Sequence, residues 1–206
     1  MRTSSGDAIN RRQYAEPVRF TIRPAASFAD LRKILGPKNP QSTVCWCLSH
    51  RVDATTNLAL LGPERGEYVR RLTRRKVAPG VLAYDGDEVV GWAAVAPRAE
   101  LPFARSRKIP HVDDRPAWSV WCFRVRPGHR GRGIARALLE GAVDFARQHG
   151  APVLEGYPVD NKGEKVDLVM AYVGTRSLFE AAGFVLASRT TAVSGGFPRV
   201  LMRREL

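Results

Sequence analysis

The segment Val125-Arg126-Pro127-Gly128-His129-Arg130-Gly131-Arg132-Gly133-Ile134-Ala135 constrains the fold of this chain more than any other stretch. Residues 118–125 before the turn are almost continuously apolar and aromatic, the pattern of a strand covered on both faces. After it, Ile134, Leu138, Ala142 and Phe145 recur at helical spacing until Gly150, and residues 153–157 form a second short apolar run. Strand, glycine turn, helix and strand in that order predict a βαβ unit, with its two strands parallel and the helix packed on the sheet. The first N–H groups of a helix lack intrahelical partners and carry the positive end of its dipole, so such a turn attracts anions. Gly131 and Gly133 let the backbone curl, Ala135 keeps the third contact small, and Arg130 and Arg132 add charge.

Two other phosphate motifs are excluded by the same residues. A Walker loop requires Gly-Lys-Ser/Thr, which is absent. A dinucleotide fold places its glycines after the first strand, whereas this loop arrives after at least three strands.

Elsewhere the pattern predicts an α+β domain over residues 18–206, preceded by a flexible polar arm over 1–17. Val18, Phe20 and Ile22 alternate with polar residues as in a half-buried strand. Ser27 caps a helix carrying Phe28, Leu31, Ile34 and Leu35, which ends at Gly36-Pro37. Residues 38–62 show no assignable period. A helix is predicted over 63–77 and a hairpin over 81–84 and 89–96 around Asp85-Gly86-Asp87-Glu88. Residues 97–117 read as a long proline-containing loop, 158–174 as a polar connector, and 175–182 as a short helix. Residues 184–191 and 200–203 form a closing strand pair.

No run approaches the ~20 apolar residues of a membrane span, and the N-terminus lacks the apolar stretch of a secretory signal, so a cytoplasmic location is expected. Cys45, Cys47 and Cys122 are an odd set, which in a reducing compartment argues against a disulfide framework. Cys45-Trp46-Cys47 with His50 offers three metal ligands, but a closed zinc site needs a fourth; packing is the favoured role and no metal is expected. The net charge of +13 is spread over several arginine-containing segments rather than one block. It fits a solvated basic surface with some arginines serving an anionic ligand; a nucleic-acid partner is not required.

Two segments together resemble the GNAT acyl-CoA N-acyltransferase superfamily. The first is the loop already described, with its Val-x-Pro lead-in and Arg-x-x-Gly-x-Ala core. The second is Leu178-Phe179-Glu180-Ala181-Ala182-Gly183-Phe184, which matches the family's Leu-Tyr-Glu-x-x-Gly-Phe. The resemblance implies a twisted, mostly antiparallel sheet of six to seven strands in which the glycine-loop strand and the next strand splay apart. Coenzyme A would lie in that wedge, held through Cys122, Phe123, Val125, Arg130, Gly131, Arg132, Gly133, Ile134 and Ala135, with its pyrophosphate on the amides of 131–135. Acetyl-CoA would be the cosubstrate and a primary amine, favoured as that of a small molecule or peptide, the acceptor, attacking the thioester directly, with a backbone N–H near Cys122 or Phe123 facing the oxyanion; the alternatives are a macromolecular acceptor (a protein lysine or aminoacyl-tRNA) or a non-catalytic coenzyme A-binding module. The protein would act as a monomer or homodimer.

The resemblance fails at two catalytic positions. Ser119 stands where many members carry a strand glutamate as base, and Phe179 replaces the tyrosine that protonates the thiolate. Glu155 on the second splayed strand is the nearest substitute base, since a carboxylate in a sheet interior can acquire the raised pKa a base requires; pairing with a neighbouring arginine is the equal alternative. Asp160 is the next candidate. Tyr172 and Tyr157 are the available phenols, with Tyr172 favoured. Cys45 to Cys47, His50-Arg51, Trp92, Phe103 and His111 with Asp113 and Asp114 are candidates to line an acceptor pocket, although the tryptophans are more often core.

Overall fold

In the computed structural model, which describes residues 20–167 and 170–206, seven strands form one sheet in the order β1-β2-β3-β4-β5-β7-β6. The strands are β1 (Thr21–Pro24), β2 (Gly80–Asp85), β3 (Glu88–Pro97), β4 (Trp118–Val125), β5 (Val153–Gly156), β6 (Val185–Ser194) and β7 (Phe197–Glu205). The helices are α1 (Phe28–Leu35), α2 (Ala54–Ala59), α3 (Pro63–Leu72), α4 (Ile134–Gln148) and α5 (Arg176–Ala181). Only β4 and β5 pair in parallel; the other neighbours are antiparallel. The expected α+β architecture is therefore present. The arm expected over 1–17 and the first residues of the strand expected from Val18 lie outside the described residues.

Side chains alternate across the sheet, and the alternation sorts the core into two layers. Val81 and Ala83 face α4, whose buried stripe includes Ile134, Leu138, Ala142 and Phe145. Leu82 and Tyr84 face the opposite layer, built from α1, α3 and the loop around Trp46. α4 can sit close to the sheet because β3 offers Gly91 beneath it; a Cβ there would come 2.7 Å from Ile134 Cγ2.

Three regions depart from the sequence expectation. The helix predicted to reach residue 77 stops at Leu72, where Thr73 donates its hydroxyl to Arg70 O. Continuing it would stack Arg70 on Arg74 and Arg71 on Arg75, like charges one turn apart. The closing hairpin is longer than expected because Gly195 (φ 58°) and Gly196 (φ 83°) make a two-residue turn, extending pairing from Ser194↔Phe197 inward. The unassigned stretch 38–62 holds α2 and a loop in which Trp46 and Cys47 both have positive φ.

That loop also corrects the cysteine expectation: Cys47 and Cys122 form a disulfide across 75 residues of sequence, and Cys45 alone is free and exposed. Counting cysteines could not show that the loop folds over β4 and brings the two sulfurs together. Among the described residues no helix is long and apolar enough to cross a membrane, and no group of three or more His, Cys, Asp or Glu side chains is placed to hold a metal.

Candidate active site

The site begins where the parallel pair ends. β4 and β5 are in register from Trp118↔Leu154 to Val120↔Gly156 and no further, although β4 continues to Val125. From Trp121 onward β4 has no β5 partner, so the two strands part in a wedge. On its other edge, Trp92 pairs with Arg124 and Ala94 with Trp121, so Cys122 and Phe123 together oppose Ala93. This is a β-bulge, and Cys122 at φ 54° is its irregular residue. The bulge turns Trp121 and Cys122 to one face, while Phe123 and Val125 pack with the α4 layer. The Cys122 side chain is committed to the disulfide, so only its backbone can serve a ligand here.

Beyond β4, His129 N–H donates to Arg126 O (3.1 Å), closing the Pro127-Gly128 turn. Gly131 (φ 76°) and Gly133 (φ 84°) then bend the chain into α4, and a Cβ on either would meet open space. Gly133 is the N-cap, no side chain caps the helix, and its first turn holds no acidic residue. Its leading amides are thus left for an external acceptor, while Ile134 anchors the turn in the core. Arg130 is exposed beside them. Arg132 is turned aside, paired with Asp85 at 2.8 Å and lying over the Phe20 ring, which reduces the charge it lends to the loop.

Three polar residues face away from α4 in one row across the sheet, Ser119 on β4, Glu155 on β5 and Arg203 on β7, joined by direct register. Glu155 is fully buried. Its Oε2 accepts from Arg98 Nη1 (2.9 Å) and from the Tyr157 hydroxyl (3.0 Å), and Ser119 donates in turn to the Tyr157 oxygen (3.0 Å). Arg203 Nε lies 3.0 Å from Oε1, an ion pair whose N–H is not aimed for a hydrogen bond. Arg98 Nη2 also donates to Ala104 O and Pro110 O, tying the long loop before β4 to this carboxylate. The pairing alternative read for Glu155 is the arrangement found: its oxygens are taken up by two guanidinium groups and a phenol. Tyr157 shares that network, and burial pushes its hydroxyl pKa upward. Asp160 pairs with Arg176 at 3.2 Å.

Tyr172 stands elsewhere, in a 3₁₀ turn (Met170–Val173) packed on β4. Its hydroxyl lies 3.1 Å from His50 Nε2. Burial raises the Tyr172 pKa, and burial followed by the nearby Arg199 lowers that of His50 to about 4, so at neutral pH both are uncharged. Phe103 sits edge-on to His50 (5.2 Å between centroids) and to Tyr157 (5.4 Å), and leans on Trp121 (5.7 Å). His50, Phe103 and Trp121 thereby wall the face of the wedge opposite α4. Of the other pocket candidates, Trp46 and Trp92 are buried in the core, and Asp113 is held by Arg203 and Arg115.

Phe179 is fully buried and packs on the last paired residue of β5; a Cβ on Gly156 would lie 2.0 Å from its ring. It plugs the base of the wedge and offers no proton. The sequence reading missed Arg199 and Arg98. In β7, Val200 and Met202 face α4 while Arg199, Leu201 and Arg203 face the other way. For Arg199 the available signal was its sharing one face of an alternating strand with Leu201 and Arg203; Arg98, in a 3₁₀ turn after β3, offered none.

Residues 52–162, more than half of the chain, match the Acetyltransferase (GNAT) family. A 27-residue stretch is 63% identical to streptothricin acetyltransferase of Streptomyces lavendulae, covering 13% of this chain and 14% of that protein. Among solved structures, a protein from Salmonella typhimurium determined with its cofactor acetyl-CoA superposes with TM-score 0.50 at 19% identity, over 91% of this chain and 94% of that one. The ribosomal-protein-alanine N-acetyltransferase of Brucella melitensis gives TM-score 0.51 at 20% identity, over 90% and 99%. With the glycine loop, the bulged β4 and the β4–β5 wedge all in place, the chain belongs to the GNAT acetyltransferase family.

Proposed function

We propose that this protein transfers an acetyl group from acetyl-CoA to a primary amine of a small molecule or peptide. The observation that carries the reading is the wedge beyond Val120↔Gly156, with uncapped α4 amides at its mouth and an aromatic, half-buried wall on its far face. The amides of residues 131–135, with Arg130, would hold the pyrophosphate, and the β4 edge at Cys122 and Phe123 would lie along the thioester arm. Acetyl-CoA supplies the acyl thioester whose carbonyl carbon the amine attacks. A backbone N–H at the bulge would face the negative charge that develops on the acyl oxygen.

His50 takes the place assigned from sequence to Glu155. Its ring is uncharged at neutral pH; the burial and the Arg199 charge that keep it so also make it a weak base, so it takes the proton shed by the attacking amine only in passing and hands it on to solvent. Tyr172, protonated at neutral pH, supplies a proton to the departing sulfur. The amine loses two protons from its ammonium form: one balances the thiol and the other leaves to solvent.

A small acceptor is favoured over nucleic acid because much of the arginine surface is already paired, including Arg70 with Glu67, Arg126 with Glu88, Arg136 with Glu140 and Arg147 with Asp144. The test is calorimetric binding of acetyl-CoA followed by thiol release across an amine panel. Gly133→Glu, which places a carboxylate among the α4 amides, is expected to weaken acetyl-CoA at least tenfold. Undiminished binding by that variant, or no acetyl-CoA binding by the wild type, would refute the placement.

A further inference from the structure

The described structure contains four buried arginines, Arg65, Arg98, Arg199 and Arg203. Arg98 and Arg203 pair with Glu155, and Arg203 also with Asp113. Arg65 makes no ion pair among the described residues either and its Nε is bare, but both its Nη groups are spent on Asn57, Leu60 and Cys45. Arg199 differs. It is 8% exposed, its Nε donates to Tyr157 O at 2.8 Å, and its buried Nη2 has no hydrogen-bond partner. Among the described residues it makes no ion pair, and the titratable groups that feel its charge, His50, Tyr172 and Tyr157, are all neutral near pH 7. Burying a guanidinium without a counter-charge is costly, and a terminal N–H₂ left bare inside a protein calls for an acceptor.

Its position says where the acceptor comes from. Arg199 bridges to Val159, three residues past the last β4–β5 pair, with its side chain on the same face as Tyr157 and Leu201. This is the face of the sheet opposite α4, the helix that the 130–135 turn begins, and it lies close enough to His50 and Tyr172 for its charge to act on both. A ligand anion there belongs to the acceptor, not to the coenzyme's phosphates. Resting on the acetyltransferase reading above, we infer that the acceptor is an amine that also bears a carboxylate, such as an amino acid, whose carboxylate pairs with Arg199 while its amine faces His50. A guanidinium fork matches a carboxylate and discriminates strongly against an uncharged isostere.

The test uses the full chain with acetyl-CoA and matched acceptors: free α-, β- and γ-amino acids, their carboxamides and the corresponding decarboxylated amines. In the wild type, kcat/KM for the best acid is expected to exceed that of its carboxamide roughly ten- to hundredfold. In Arg199→Gln that ratio should fall to near one, and Arg199→Lys should keep part of it, with acetyl-CoA binding serving as the check that each variant is folded. Carboxamides or plain amines used as well as acids by the wild type would overturn the inference while leaving the acetyltransferase reading intact, and this arm needs no variant. A preference that persists in Arg199→Gln would overturn the assignment to Arg199. Bound acetyl-CoA with no turnover of any amine would sink both.

Discussion

Replacing Glu155 with Gln separates a structural carboxylate from a catalytic one. The substitution keeps shape but removes a charge that is 0% exposed and faces Arg98 and Arg203, whose side chains are 7% and 6% exposed. Breaking a buried ion pair from one side costs roughly 3–5 kcal/mol, because the partner's charge is left uncompensated. Arg203 retains both oxygens of Asp113, at 2.7 and 2.9 Å, so the loss falls mainly on Arg98. That places the expected cost near the lower end, about 3 kcal/mol, or about 6–12 °C in Tm for a chain of this size. Urea denaturation reads the stability, and thiol release measured well below the new Tm reads the chemistry of the folded fraction. We expect the loss in stability with kcat within about tenfold of wild type, and a Glu155→Leu, Arg98→Met double variant to recover only the part due to the unpaired Arg98 charge, since it also frees the Ala104 and Pro110 carbonyls and the Tyr157 hydroxyl. A kcat reduced more than about a hundredfold with unchanged stability would refute the structural role and restore Glu155 as the base.

Tyr172→Phe should lower kcat about ten- to a hundredfold with acetyl-CoA affinity unchanged by calorimetry; full turnover would remove Tyr172 as the acid. His50 carries a folded pKa near 4 against an unfolded value near 6.5, so the unfolded chain binds the extra proton between them. Its contribution is present above about pH 6.5 and lost as pH falls toward 4, up to about 3 kcal/mol, and His50→Gln should flatten Tm across that window; an unchanged slope would count against it. Reducing the Cys47–Cys122 disulfide should cost about 2–4 kcal/mol by denaturation with and without reductant. Alkylating the native protein should label Cys45 alone, and labelling of Cys47 would contradict the bond.

The parts of this molecule legible in its sequence are those fixed by local rules. The βαβ unit follows from an apolar run, a glycine turn and a 3.6-residue stripe, and each survives in β4, α4 and β5. The cradle at Gly131 and Gly133 follows likewise, because positive φ and an uncapped helix start are decided within a few residues. The residues of the proposed acceptor side are not of this kind. His50 and Tyr172 could be named from the sequence as candidates but not paired, since one comes from a loop without period and the other from a single 3₁₀ turn, and Arg199 needed the register of β7 to show it turned inward. The two cysteines, 75 residues apart, belong to the same class.

The same distinction bears on Glu155, whose surroundings could not be read from its own strand. Strand pairing sets Ser119, Glu155 and Arg203 side by side, so a carboxylate does reach the interior next to the position where the family keeps its own. What decides its role is Arg98, supplied by a loop 57 residues earlier, whose guanidinium turns that carboxylate into the clamp holding the loop against β5. A chain that spends its interior carboxylate on such a clamp must find its proton acceptor elsewhere. In the mechanism proposed above that acceptor is His50, which is uncharged at neutral pH and hydrogen-bonded to Tyr172.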